Sequence, residues 1–148
     1  MSDAPRRQDP TLSTVILRAA ARGLTPAIVI LAVFFLLRGH DEPGGGFIAG
    51  LVLGAGIVFR WLAFGNEGIG RLLPLAPTSL LALGLGLAVG TGLAAVALGE
   101  PFLTGAVWKA DVAGLQVKAT ASLVFDAGVM LVVVGMVGAF VRTLGASR

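Results

Sequence analysis

The sequence predicts an all-α membrane protein with four transmembrane helices, both termini cytoplasmic and an N-terminal amphipathic segment. Three observations predict it. Of 148 residues, 56% are hydrophobic and 13% charged, with a mean hydropathy of +0.93, far from soluble averages. The apolar residues gather in runs near the ~20 residues a helix needs to cross a bilayer. The Lys and Arg residues fall unevenly about those runs. The whole chain, 1–148, reads as one transmembrane domain with spans at about 15–38, 46–64, 78–98 and 119–141.

The N-terminus is polar. Arg6-Arg7 is followed by Asp9-Pro10 instead of an apolar stretch, so no removable signal peptide is expected. Asp9-Pro10 reads as a helix cap with Pro at the first helical position. Residues 11–23 then suit an amphipathic helix with Arg18 and Arg22 on one face, either at the interface or as the lower end of the first span. Thr25-Pro26 restarts or kinks this helix. The uncharged run 24–37 alone is short, so the span must begin near Val15.

The stretch from Arg38 to Leu51 stands apart from the rest of the chain. It holds the single His (His40), Asp41, Glu42, Pro43 and the run Gly44-Gly45-Gly46 between two apolar segments. Pro43 stops a helix arriving from the left and disfavours an α conformation in Glu42, while the glycines permit a tight turn. His40, Asp41 and Glu42 are therefore expected at a water–lipid boundary, near the positive end of the next helix.

That second helix carries Gly46, Gly50 and Gly54 at four-residue spacing, a stripe suited to close helix packing. Arg60 can snorkel and Trp61 suits the interface. A connection with Glu67 and Arg71, both expected in water, leads to the third span, where Ala82, Gly86, Gly90 and Ala94 form a second small-residue stripe. The connection after it, residues 99–118, is long. Within it, residues 107–117 mix β-branched, aromatic and charged types around Ala113-Gly114, as an extended or hairpin-like cover would. The fourth span holds one charge inside, Asp126.

With four spans, Arg6, Arg7, Arg18, Arg22, Arg60, Arg71, Arg142 and Arg148 share one side and Arg38, Lys109 and Lys118 the other. The richer side is the cytoplasm. The His40 turn, the long connection and the start of the fourth helix then converge on the outer face.

Asp126 is the foremost functional candidate, because an ionisable group inside a spanning helix is costly and often marks an ion route. It is equally readable as a structural anchor. His40, Asp41 and Glu42 suit proton passage or cation attraction, or simply a capped turn. One His and no Cys leave too few ligands for a transition-metal centre, and neither a cofactor nor a nucleotide site is expected. No nucleophile–base constellation is present, so the chain does not read as an enzyme. The +3 charge is too small and scattered for a nucleic-acid surface. One Asp is thin for a complete transporter, and the glycine stripes point to helix partners, so membership of a larger assembly is favoured.

Two motifs carry a resemblance: His40-x-Glu42-Pro43-Gly44-Gly45-Gly46-Phe47 and Phe125-Asp126-x-Gly128-Val129. With the span pattern, they resemble the MnhB/MrpB component of the Mrp-type (also called Mnh) multisubunit cation/proton antiporters over nearly the whole chain. Met130 stands where members often have Tyr, which removes a hydroxyl. The resemblance implies a prokaryotic cell-membrane complex that exchanges cytoplasmic Na+ for external H+ in pH and salt homeostasis. It implies other hydrophobic subunits as partners, including large antiporter-like ones. Asp126 and the His40–Glu42 turn are then candidates for lining an ion route. Three alternatives stay open: a purely structural role, a place in a related membrane-bound hydrogenase-type complex, and an independent homo-oligomeric transporter.

Overall fold

The computed structural model describes residues 12–39, 45–70, 72–73, 75–99, 107–112 and 115–146. Five helices and one hairpin follow in the order α1 (Leu12–Arg38), α2 (Gly45–Phe64), α3 (Asn66–Gly70), α4 (Pro77–Ala97), β1 (Val107–Val112), β2 (Leu115–Thr120) and α5 (Ala121–Ala146). Four of them, α1, α2, α4 and α5, are long and apolar enough to cross a membrane.

The expected amphipathic segment and first span form one continuous helix, α1, and Pro26 lies inside it. Pro26 removes the hydrogen bond to the Arg22 carbonyl one turn earlier. The neighbouring Thr25 hydroxyl turns back to donate to the Ala21 carbonyl at 2.5 Å. Without water competing for its backbone groups, a membrane helix tolerates such an interruption.

The helices stack in the spatial order α1, α2, α5, α4, with α5 lying between α2 and α4. Neighbouring helices α1 and α2 run antiparallel: Gly39 borders Gly45 at one end and Ile28 borders Gly56 further down. α2 and α5 run parallel. Gly46, Gly50 and Gly54 face Asp126, Val133 and Val137 in turn. Their separation grows along the seam. A Cβ on Gly46 would overlap the backbone carbonyl of Asp126; one on Gly50 would lie 2.7 Å from the Val133 Cβ; one on Gly54 would lie 3.0 Å from the Val137 Cγ2. The glycines thus bring backbone against backbone at one end, and large side chains fill the space at the other. The core there comprises Ile57, Ile69, Leu73, Leu80, Val134 and Val141.

α4 and α5 are antiparallel and also meet through glycine. A Cβ on Gly84 would lie 2.6 Å from the Gly128 carbonyl oxygen, and one on Gly128 2.8 Å from the Ala88 nitrogen. Packing within the chain therefore uses Gly84, Ala88, Gly92 and Ala95, which are buried. Gly86 and Gly90, singled out from the sequence as packing positions, lie on the other face, and a Cβ there would meet nothing of the described residues within 4 Å. Trp61 differs too: it is half-buried and packs against the core cluster rather than marking the interface alone.

The long connection contains the antiparallel hairpin β1–β2, with Val107 opposite Thr120 and Val112 opposite Leu115. Strand β2 runs directly into α5. The hairpin thus stands at the bundle end where α5 begins and α1 gives way to α2.

Candidate functional site

Asp126 lies at that same end, five residues into α5, or about 7.5 Å from its start at helical rise. It is half-buried, and it borders Gly39 and Gly45, the last described residue after α1 and the first of α2. A Cβ on Gly39 would lie 3.2 Å from its Oδ2, and one on Gly45 would lie 2.8 Å from Oδ2 and 3.0 Å from Oδ1. Gly45 opens α2 with φ +69°, the left-handed region that a residue with a Cβ enters at a cost. Gly46 completes the cradle by admitting the Asp126 main chain.

The electrostatics follow from this placement. The first N–H groups of α2 lack partners within their own helix, and their aligned dipoles make this end partially positive. A carboxylate seated on the opening glycines of α2 meets the end of the helix that complements it. The glycines matter because any side chain there would hold the carboxylate off the backbone.

Of the other candidates from the sequence, Gly45 and Gly46 belong to this cradle. His40, Asp41, Glu42, Pro43 and Gly44 lie outside the described residues. They form the five-residue link between Gly39 and Gly45, both of which border Asp126. Among the described residues no three of His, Cys, Asp and Glu come together as a metal ligand set.

At the opposite end, the antiparallel register of α1 on α2 gathers a second polar group that the sequence reading treated as separate snorkelling arginines. Arg60 donates from Nη1 to the Thr25 hydroxyl at 3.1 Å and from Nε to the Gly68 carbonyl at 3.3 Å. Arg18 donates from Nε to the Ala63 carbonyl at 3.1 Å. The guanidiniums of Arg22 and Arg60 lie 5.4 Å and 5.2 Å from the centroid of the same ring, Phe64. These residues, with Pro26, Gly68 and the exposed Glu67, border a cavity of about 560 Å³. The sequence shows its spacings but not the register that joins them: once the structure sets Gly39 against Gly45 and Ile28 against Gly56, Thr25 falls beside Arg60, and the four-residue spacings Arg18–Arg22 and Arg60–Phe64 face each other.

Comparison with known proteins locates the chain among membrane transport complexes. A family model described as a domain related to the MnhB subunit of Na+/H+ antiporter matches residues 16–139. The B subunit of the Bacillus subtilis Na+/H+ antiporter is 36% identical over 133 residues, which cover 88% of this chain and 92% of that protein. A probable K+/H+ antiporter A/B subunit of Rhizobium meliloti is 35% identical over 118 residues, 77% of this chain but 12% of that much longer one. The structure of the Mrp complex from Dietzia sp. DQ12-45-1b contains a chain that matches with a TM-score of 0.75 and 35% identity, over 98% of this chain and 15% of that one. The unit therefore occurs both as a separate polypeptide and as a small part of a long one. With the family model spanning both the glycine turn and Asp126, the chain belongs to the family of domains related to the MnhB subunit of Na+/H+ antiporters.

Proposed function

We propose that this chain, a multi-pass prokaryotic membrane subunit of a multisubunit antiporter, works without enzymatic chemistry and uses Asp126 to line a route for the exchanged cation or proton. Na+ and H+ are the ions indicated by relatives such as the Bacillus subtilis protein. One observation carries the reading: Asp126 belongs to a helix long and apolar enough to cross a membrane, and its carboxylate oxygens border Gly39 and Gly45, the glycines on either side of the α1–α2 link. A carboxylate held in this way is an exchange point, able to receive either a proton or a metal cation from water.

His40, Asp41 and Glu42 are tethered near it, no more than three residues from a glycine that borders Asp126. In this reading they draw cations to the mouth of the route and pass protons to it, His40 being the side chain that titrates near neutral pH. The Lys and Arg distribution favours a mouth on the outside and both termini in the cytoplasm. Large antiporter-like subunits are the expected neighbours, since the same unit forms part of a long antiporter chain in Rhizobium meliloti.

A structural role is the competing reading, favoured by the tight seat of Asp126 on the start of α2. Asp126→Asn separates the two, because it preserves size and hydrogen bonding while removing charge. The assay is cation-driven proton movement in vesicles carrying the complete complex, with subunit composition checked in parallel. An ion role predicts a fall in exchange of about tenfold or more with the complex intact. Full exchange would leave Asp126 a packing residue.

A further inference from the structure

We infer that the arginine cavity between α1 and α2 is a seat for the phosphate group of an anionic membrane lipid. The inference is independent of any role for Asp126. It starts from an electrostatic imbalance. Two guanidiniums, those of Arg22 and Arg60, lie within 5.4 Å of one ring centroid, and Arg18 borders the same cavity. Among the described residues no carboxylate pairs with any of the three; Glu67, on the cavity wall, is exposed. Cations that line one cavity without a paired carboxylate repel one another, and an anion bound in that cavity offsets their charge.

The hydrogen-bond inventory points the same way. A guanidinium has five N–H donors. Within the described residues Arg18 directs one to protein, Arg60 two and Arg22 none. The remaining donors can form the bidentate pairs that arginine makes with phosphate. Phe64 places the guanidiniums of Arg22 and Arg60 within 5.4 Å of one ring centroid, a contact that uses none of their N–H donors.

Position selects a lipid. Along α1, Arg22 lies sixteen residues and Arg18 twenty residues from Arg38, or about 24 Å and 30 Å at helical rise. A hydrocarbon core is about 30 Å thick. The cluster therefore stands at headgroup level in the leaflet opposite Arg38, where basic pockets between helices take anionic headgroups. Directly beside it, sharing Thr25, is a second cavity of about 280 Å³, lined by Ile28, Val29, Leu53, Ile57 and Met130 among others. A charged socket with an apolar cavity beside it, the two sharing Thr25, matches a phosphate joined to an acyl chain.

The test uses the assembled complex, purified in mild detergent and read by native mass spectrometry after exposure to phosphatidylglycerol or phosphatidylcholine. Arg22→Gln is the first variant, because Arg22 makes no hydrogen bond to the described residues that holds the fold together. The expected result is phosphatidylglycerol retained over phosphatidylcholine by the unmodified complex, and that retention lowered about fivefold or more in R22Q with the subunits unchanged. Should R22Q fail to assemble, R22K replaces it: the same loss supports the seat, since Lys keeps charge but not the fork, and undiminished retention overturns it. Equal retention of both lipids overturns the inference as well. If inorganic phosphate binds in an Arg22-dependent way while lipid retention does not depend on Arg22, the site serves a free anion and the lipid reading falls. Loss of a neighbouring protein instead of lipid in R22Q would assign the socket to an acidic protein segment and overturn the lipid seat.

Discussion

The two polar ends of this bundle host charge by opposite means. At the Asp126 end, one carboxylate is accommodated by the absence of side chains. Gly39, Gly45 and Gly46 let three helices close until backbone meets backbone, and the carboxylate stands at the N-terminal end of α2, where the helix dipole is positive. At the Arg60 end, three cations are accommodated by long side chains that reach carbonyls, a hydroxyl and an aromatic ring across a gap. The first arrangement is rigid, because helical backbone cannot step aside. The second is adaptable, because each guanidinium has a flexible stem. Adding atoms should therefore damage the first end, and removing them should weaken the second.

Gly46 gives the largest expected effect. Its Cβ would coincide with the main-chain carbonyl of Asp126, so both helices would have to separate. Gly46→Ala is expected to destabilise the protein by about 3 kcal/mol or more, at the upper end of overpacking costs, and Gly46→Val to prevent accumulation of the complex. Gly86→Val, on a face with nothing of the described residues within 4 Å, is the contrast: no contact among them is disturbed, so a loss there points to a neighbouring protein. Thermal unfolding of the purified complexes reads both. If G46A unfolds at the unmodified temperature, the backbone contact between α2 and α5 is wrong.

That contrast also shows what the sequence could and could not disclose. The spans were legible to within a few residues, because apolar run length alone determines which segments can cross a bilayer. The position of Asp126 near the start of the last long helix was legible for the same reason. Its surroundings were not: a neighbour made of glycine leaves no hydrophobic period that points at it. The two stripes Gly46-Gly50-Gly54 and Gly86-Gly90 have identical spacing, yet among the described residues only the first is used for packing. α4 is small-sided on two faces, and Gly84 rather than Gly86 meets α5. Spacing identifies a face that can be approached closely; which face is approached depends on how the helices are arranged. The arginine cavity needed the register of α1 on α2, and that register was hidden in the length of the turn.

Gly45 sharpens the comparison at a smaller cost. Gly45→Ala must place a Cβ at φ +69°, costing about 1–2 kcal/mol, and within 2.8 Å of Asp126 Oδ2. Unlike a main-chain carbonyl, the carboxylate can rotate away, so the expected total is about 2 kcal/mol. Repeating the exchange in an Asp126→Ala background divides the two contributions. Backbone strain persists there, whereas the overlap disappears. A coupling of about 0.5 kcal/mol or more between the two positions is the expected result. Additive effects would mean that the carboxylate does not rest on Gly45.

The smallest effect belongs to the other end. Phe64→Leu keeps apolar bulk but removes the ring shared by Arg22 and Arg60. Each cation–ring contact at a partly exposed site contributes about 0.5–1 kcal/mol, and the stems of both arginines can find new positions. The expected destabilisation is therefore about 1 kcal/mol, with assembly unchanged. Hydrogen bonds from Arg60 to Thr25 and Gly68 persist, since neither uses the ring. The informative variable is salt. Cation–ring attraction at close range is screened little, whereas repulsion between the two guanidiniums is screened more. Removing the ring lets the two guanidiniums move apart, so the unmodified protein should gain stability as salt rises, and F64L should change less. An equal salt response in both would mean that the ring does not hold the two cations together, and the arginine end would then owe its form to the carbonyls alone.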